Sequence, residues 1–217
     1  ALLLNYTNPM SMIMWAISEA TSITSIGLCH SVQNTARQLA GYMGVELDKL
    51  TYHVAGINHM AWFLKLEREG EDLYPTLRAC LDNDEIVARD PVRFDIYRHL
   101  GMFVTESSRH MAEYVPYYMK DEAEMARVDV THRTGEQMAG QNETRTKQRA
   151  EAQEKMLQEA PEIVRSNEYG AQIIHAMETD TALTVYGNVP NTGLITNLPT
   201  DCSAEVPCLV NRAGLHP

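Results

Sequence analysis

The sequence predicts an α/β fold, because strands and helices alternate over its first part. Leu2–Leu4 and Ile23–Leu28 are short apolar runs, which are typical of parallel strands buried on both faces. A helix is expected after each run. The first starts at Asn8–Pro9, and the second starts at Ser31 and ends at Gly44. This order is the pattern of a sheet whose strands are joined by crossover helices.

The rest of the chain mixes the two element types, with turn residues between them. Strands are expected at 50–57, 61–67 and, separated by turns, within 183–210. Helices are expected at 74–81, at 90–100, within 121–158 after a loop, and at 166–177. The third of these is rich in Glu, Gln, Arg and Lys, so we expect it to be mostly exposed and without chemistry.

Two segments place a candidate metal ligand directly after an apolar run. Cys29 follows Leu28, at the carboxyl end of a predicted strand, where ligands of α/β sheets bind. His59 follows the run that ends in Gly56-Ile57-Asn58. A thiolate and an imidazole are ligands that transition metals take. A lone cysteine is, however, more often a small buried hydrophobe, so spacing alone leaves both interpretations open.

Composition and charge exclude several classes of function. Of the 217 residues, 44% are hydrophobic and 22% are charged, as in ordinary globular proteins. The formal net charge of −11 argues against a nucleic-acid partner. The sequence contains no run of about 18 apolar residues, so no membrane span is expected. Four scattered cysteines and the lack of an export signal favour a reducing cytoplasm.

Two asparagine-bearing loops are predicted between the last strands, at Asn188–Gly193 and Asn197–Pro199. An amide side chain both donates and accepts hydrogen bonds, which suits the recognition of sugar hydroxyls. Asparagines that merely form turns explain the pattern equally well.

Five groups of residues occur in an order that is itself informative. They are Leu4–Met10 (LNYTNPM), Gly27–Ser31 (GLCHS), Gly56–Trp62 (GINHMAW), Val104–Ser108 with Glu113–Tyr117 (VTESS and EYVPY), and Asn191–Pro199 (NTGLITNLP). Together they resemble glycoside hydrolase family four, and most closely its bacterial α-galactosidases. This family is an NAD-dependent exception to hydrolysis by two carboxylates. The resemblance spans nearly the whole chain and is weak only between residues 121 and 158.

The resemblance implies a fold, a reaction and an assembly. Residues 1–45 would end a Rossmann-like, lactate/malate dehydrogenase-like NAD-binding domain, and residues 46–217 would form an α+β domain for substrate and metal. The implied reaction hydrolyses α-galactosides by oxidation at sugar C3, loss of the C2 proton, elimination, addition of water and reduction. It uses NAD and a divalent metal, usually manganese, as a Lewis acid. A homodimer or homotetramer is implied as well.

The resemblance also assigns the ligands of metal and sugar. Cys29 matches the cysteine ligand of the metal, and His59 matches the histidine ligand. Asn8 matches an asparagine that contacts the sugar near the metal, and Asn58 is expected to be a second contact.

Two further residues match catalytic positions. Tyr114 matches the base that removes the C2 proton, for which its pKa has to fall, as a nearby cation would cause. Tyr117 and Tyr118 are its neighbours and its rivals. His30 stands where phospho-α-glucosidases carry an aspartate as general acid. An imidazole suits that role, but the departure leaves the identity of the acid open.

The cofactor-binding residues cannot be assigned, because no Gly-x-Gly-x-x-Gly occurs in the chain. The chain opens within a predicted strand and without an initiator Met. We therefore expect a piece of a longer protein, with the glycine-rich turn upstream.

Several alternatives stay open. Cys-His in place of Cys-Asp favours an unphosphorylated α-galactoside, with α-galacturonides or 6-phospho-glycosides as rival substrates. A hydroxy-acid dehydrogenase would need a His-Asp pair and a substrate-binding arginine, and it would not need the cysteine. A fragment without catalytic activity is the third possibility.

Overall fold

The structure is a computed structural model that describes residues 1–132, 134–159 and 166–217. Its strands are β1 (Leu2–Asn5), β2 (Thr24–Leu28), β3 (Thr51–Ile57), β4 (Met60–Arg68), β5 (Glu71–Asp72), β6 (Phe103–Val104), β7 (Leu183–Pro190), β8 (Ser203–Asn211) and β9 (Gly214–His216). Its α-helices are α1 (Met10–Ala20), α2 (Ser31–Met43), α3 (Tyr74–Ala79), α4 (Asp84–Ala88), α5 (Pro91–Leu100), α6 (Ser108–Tyr114), α7 (Glu122–Arg127), α8 (Gly135–Gln158) and α9 (Tyr169–Thr179). Short 3₁₀ turns lie at Leu47–Lys49 and Cys80–Asp82.

Within the described ranges, all strands join one mixed sheet in the order β1-β2-β7-β8-β3-β4-β5, with β6 on β4 and β9 on β8. The pair β1–β2 is parallel and α1 lies between the two strands in the chain. The other pairs are antiparallel. The predicted α/β beginning followed by a mixed α+β part is thus confirmed.

Apolar side chains pack the helices against the sheet. One cluster joins α2, α3 and α5 to the hairpin of β3 and β4; it includes Val32, Leu39, Leu77, Phe94 and Phe63. A second joins α9 to β2, β7 and β8, with Ile173, Ile26, Val185 and Val206 among its members. The long helix α8 has no buried residue, which confirms the prediction for that charged segment. None of the helices described is both long and apolar enough to cross a bilayer.

The junction between β2 and β7 connects the first 45 residues to the rest of the sheet. It consists of two residue pairs, Gly27 with Asn188 and Leu28 with Gly187. A Cβ atom on Gly187 would lie 2.2 Å from the Cδ1 atom of Ile26, so glycine is what allows the strands to approach. One sheet therefore spans both predicted units, and the division at residue 45 stays a prediction.

The hairpin of β3 and β4 presents a two-residue turn. Ile57 pairs with Met60, which leaves Asn58 and His59 at the tip. His59 adopts a φ of +67°, an uncommon conformation for a residue with a side chain. Gly56 has a φ of +155°, and a Cβ atom there would lie 2.5 Å from the Cα atom of Ala61. The backbone of this turn is therefore narrowly defined.

A buried polar network fixes the segment that faces this hairpin. Arg93 is 1% exposed; it bonds to the carboxylate of Asp90 and donates to the hydroxyl of Thr35 over 2.8 Å. That hydroxyl in turn donates to the carbonyl of Thr105. Such a pair is tolerated in the interior because both charges are paired and hydrogen-bonded. The network holds the backbone immediately before Glu106.

The predicted loop at 188–193 is wrong for its first half. Asn188 to Pro190 continue β7 and pair with β8. Asn188 and Asn191 are both buried, and the Asn191 amide donates to backbone carbonyls of Ile195 and Pro199 over 3.0 Å. Both amides therefore serve the interior of the protein, where buried polar groups need partners.

Candidate active site

A cavity of about 450 Å³ collects four of the six predicted site residues. Asn8 lies before α1, Asn58 and His59 form the β3–β4 turn, and Tyr114 ends α6; all four line this cavity. Three separate parts of the chain therefore meet here, as a site that binds a small molecule requires. Cys29 and His30 are outside the set of described residues that line it.

Both ring nitrogens of His59 face a polar group. Its Nδ1 atom lies 3.0 Å from the Tyr114 hydroxyl, and its Nε2 atom lies 3.3 Å from the Glu106 carboxylate. The side chains of His59 and Glu106 are only 19% and 13% exposed. A carboxylate on one nitrogen is the arrangement that orients metal-binding histidines. Glu106 lies inside the VTESS segment, but the sequence predicted no role for it.

The environment of Tyr114 opposes ionisation of its hydroxyl. Burial raises the pKa of Tyr114, and the charges of Glu106, Glu113 and Cys29 raise it further. The protein groups alone thus move this pKa in the direction opposite to the one that a base requires. A cation placed beside the hydroxyl would act in the reverse sense.

Cys29 lies one residue beyond β2, with its thiol free and partly exposed. Its negative charge raises the pKa of Tyr114 and of Glu205. The thiol therefore shares the electrostatic surroundings of the cavity, which agrees with its position at the carboxyl end of a parallel strand.

His30 contacts a carboxylate that the sequence did not predict as its partner. Its Nε2 atom lies 2.8 and 2.9 Å from the two carboxylate oxygens of Glu168, the residue before α9. The ring of Tyr6 stacks on the imidazole, with 5.9 Å between centroids. Glu168 is 138 positions away in the chain, so no local pattern signals this contact. The structure brings His30 to Glu168 and leaves it outside the cavity lining.

Glu205 is a third acid, after Glu106 and Glu168, for which the sequence predicted no role. It lies on β8, is 0% exposed, and pairs with Gly56 of β3 and Asn188 of β7. Burial raises its pKa to about 8; the charge of Cys29 raises it as well, while Asn58, His59 and Asn188 act in the lowering direction. Because Glu205 lies in a strand of otherwise mostly apolar residues, the local sequence does not indicate that its carboxyl group belongs to a site.

The donor atoms suit a transition metal, although they do not form a closed site. No group of three or more His, Cys, Asp or Glu side chains within the described ranges is arranged to hold a metal ion. A thiol, an imidazole backed by a carboxylate, and an unpartnered buried carboxylate oxygen at Glu205 are nevertheless chemically compatible with one. If Cys29 and His59 were the ligands, positions would be left for sugar oxygens and water.

Comparison with known proteins identifies the family. The description "Family 4 glycosyl hydrolase" matches residues 1–45, and "Family 4 glycosyl hydrolase C-terminal domain" matches residues 54–217. An α-galactosidase of Bacillus subtilis is 40% identical over 99% of this chain and 50% of its own length. One of Rhizobium meliloti is 35% identical over 98% of this chain and 46% of its own length. The chain spans about half the length of these relatives.

More distant relatives and solved structures agree. An α-galacturonidase of Lachnoclostridium phytofermentans is 29% identical over 100% of this chain and 52% of its own length. The Bacillus subtilis glucosidase lplD structure superposes with a TM-score of 0.86 at 26% identity, covering 100% of this chain and 54% of its own. A Thermotoga maritima 6-phospho-β-glucosidase, solved with manganese, NAD⁺ and glucose-6-phosphate, gives 0.67 at 25% identity, covering 98% and 49%. The resemblance found in the sequence is confirmed: the chain belongs to glycosyl hydrolase family 4.

Proposed function

We propose that the protein hydrolyses α-galactosides by the NAD- and divalent-metal-dependent route of oxidation, elimination, addition of water and reduction. The observation that carries this proposal is the cavity that gathers Asn8, Asn58, His59 and Tyr114. The identity of 35–40% to two α-galactosidases supports the choice of sugar. When bound, NAD would supply hydride transfer at the sugar, and manganese or another divalent cation would supply Lewis-acid stabilisation of negative charge.

Each of the six predicted site residues has a role in this proposal. Cys29 and His59 hold the cation, and the Glu106 carboxylate 3.3 Å from the imidazole orients the ring. Asn8 and Asn58 bind sugar hydroxyls from the cavity wall.

Proton transfer is assigned to two further residues. Tyr114 accepts the C2 proton, and its position 3.0 Å from His59 places its hydroxyl where a bound cation would favour the phenolate. His30 donates a proton to the leaving group, with Glu168 as the carboxylate that holds its ring.

We infer a neutral sugar rather than an anionic one as the substrate. Among the described residues that line it, none is Lys or Arg, which are the side chains that recognise phosphate and carboxylate groups. This supports an unphosphorylated α-galactoside over a 6-phospho-glycoside or a galacturonide. The α-galacturonidase relatives make the galacturonide the second candidate.

The proposal is tested with protein expressed from the full natural coding sequence. We expect hydrolysis of p-nitrophenyl α-galactoside that needs manganese, NAD and a reductant, and that a chelator abolishes. p-Nitrophenyl α-galacturonide is the comparison substrate. Activity that survives both the chelator and removal of NAD contradicts the mechanism.

A matched pair of tyrosine variants tests the base. Tyr114→Phe should lose exchange of the sugar C2 proton with solvent deuterium, because the accepting oxygen is gone. Tyr117→Phe is the control, since Tyr117 lines a different cavity and is 63% exposed. Equal exchange in both variants would remove Tyr114 from the mechanism.

The remaining alternatives make different predictions. Cys29→Ser should abolish glycosidase activity, whereas a hydroxy-acid dehydrogenase would tolerate it. A protein without catalysis would show no turnover under any of these conditions. A cytoplasmic location and a homodimer or homotetramer are further parts of the proposal, to be checked by fractionation and by light scattering.

A further inference from the structure

Glu205 occupies a place in the sheet that links the segments of both predicted metal ligands. Its strand, β8, lies between β7 and β3. On one side Glu205 pairs with Asn188, whose amide donates to the carbonyl of Gly27 over 3.3 Å, two residues before Cys29. On the other side it pairs with Gly56, two residues before Asn58. A single buried side chain therefore adjoins both strand ends.

The polar atoms around Glu205 are not satisfied by the protein. Its Oε1 atom is 3.5 Å from the Asn188 amide nitrogen, which is a long contact. Its Oε2 atom and the Oδ1 atom of Asn188 are buried and have no hydrogen-bond partner among the described residues. The buried Nδ2 atom of Asn58 makes no other bond, and it lies close enough to Glu205 to lower the pKa of that carboxyl group as a hydrogen-bond donor. Buried polar groups nearly always have partners, so the two open oxygen atoms point to an ordered ion or water beside this carboxyl group.

The charges around Glu205 are those of the predicted cation site. Cys29 and His59 both act on its ionisation, in opposite directions, so both lie within electrostatic range. No three acidic, thiol or imidazole groups among the described residues can ligate one metal together. Glu205 therefore acts from outside the coordination sphere, as the hydrogen-bonded groups behind metal ligands do.

We propose that Glu205 is a positioning residue of the cation site, which holds the Asn58 amide and, through it, the His59 turn, while its carboxylate balances the charge of the cation. The inference rests on the proposed function, because it takes Cys29 and His59 as the ligands. It adds an acid to the site to which neither the sequence analysis nor the proposed mechanism gives a role. Asn58 then has two tasks, since its amide faces both Glu205 and the cavity.

The test measures manganese binding directly, without turnover. Free Mn²⁺ is quantified by electron paramagnetic resonance in titrations of the protein from its full coding sequence, with NAD present. Glu205→Gln should weaken binding about 10- to 100-fold, the loss found when an outer-shell partner is removed. Glu143→Gln, on the exposed helix α8, is the control and should bind as the wild type does. A change of less than about twofold in Glu205→Gln overturns the proposal.

A second pair of variants keeps the proposal testable if the Glu205→Gln protein does not fold. Glu205→Asp keeps the charge but shortens the side chain, and Asn58→Ala removes the amide that links the carboxyl group to the turn. If Glu205 acts through Asn58, the protein that carries both Glu205→Asp and Asn58→Ala should bind Mn²⁺ with about the same affinity as the single variant that binds it less tightly. Fully additive losses would contradict that route.

A third variant separates this inference from the proposed function. Cys29→Ser should lose Mn²⁺ binding if the cysteine is a ligand. Loss in Cys29→Ser with unchanged binding in Glu205→Gln refutes the role of Glu205 alone. Unchanged binding in Cys29→Ser, or a wild type that binds no Mn²⁺, refutes the cation site itself and this inference with it.

Discussion

Replacing the buried carboxyl group of Glu205 by an amide should change how the stability of the protein depends on pH. Glu205→Gln keeps the size of the side chain and removes its ionisation. Burial raises the pKa of Glu205 from 4.5 to about 8, so the folded protein binds this proton more tightly than the unfolded chain does. Stability contributed by the neutral acid is complete below about pH 4.5 and declines as the pH rises towards 8.

The size of the effect follows from that shift. A tenfold change in proton affinity corresponds to about 1.4 kcal/mol, and the pKa rises from 4.5 to about 8 on folding. The free energy of unfolding therefore falls by at most about 5 kcal/mol between low pH and pH values above 8. Between about pH 5.5 and 7.5 the folded protein holds this proton and the unfolded chain does not, so unfolding releases about one proton per molecule. The free energy of unfolding of the wild type should therefore fall by about 3 kcal/mol relative to that of Glu205→Gln over these two pH units.

Urea unfolding followed by circular dichroism measures this difference. The wild type and the variant are compared at several pH values from about 5 to 8.5, with chelator present so that no cation shifts the ionisation. Other titrating groups are common to both proteins and cancel in the difference. Glu143→Gln, an exposed carboxylate paired with Lys147, should give a difference that does not vary with pH. The reasoning is refuted if Glu205→Gln behaves in the same way.

Two further predictions concern the neighbours of the site. Gly56→Ala should lower the free energy of unfolding by about 2 kcal/mol or more and weaken Mn²⁺ binding, because its Cβ atom would lie 2.5 Å from the backbone of Ala61 at a φ that side chains rarely adopt. Gly41→Ala, with open space around it on α2, should be neutral or stabilising, and equal losses in both would contradict the argument. Glu168→Gln should slow hydrolysis of α-galactosides with poor leaving groups by about 10-fold or more and leave p-nitrophenyl α-galactoside much less affected. An equal loss on both substrates would show that His30 is not the acid held by Glu168.

The elements of the fold could be predicted because their signals are local. The apolar run at Leu2–Leu4 became β1, the helix that ends at Gly44 became α2, and the charged segment became the exposed α8. The failure at Asn188–Pro190 has a physical reason. Asn and Pro at these positions signal a turn, but pairing with β8 outweighs that preference, as tertiary contacts often outweigh propensity.

The candidate site was only partly predictable. Asn8, Asn58, His59 and Tyr114 were found through a resemblance, and the cavity gathers them. Glu106, Glu168 and Glu205 were missed because their roles come from contacts between distant segments. Glu168 reaches across 138 positions to His30, and Glu205 gains its properties from burial between two strands. The residues next to each acid in the sequence do not indicate which distant segments will contact it or how deeply it will be buried.

The narrow junction between β2 and β7 has a consequence for anyone who recombines members of this family. Cys29 follows a strand on one side of it and His59 follows a strand on the other. The relative placement of sulfur and imidazole therefore depends on the two residue pairs of the junction, Gly27 with Asn188 and Leu28 with Gly187, together with the contacts of α1 on β7 and β8. A chimera that takes residues 1–45 from one parent and the remainder from another needs residues that fit one another at these four positions. A side chain in place of Gly187 would meet Ile26, and one in place of Gly27 would meet Met10 and Asn188, so either change would disturb the link between the two parts.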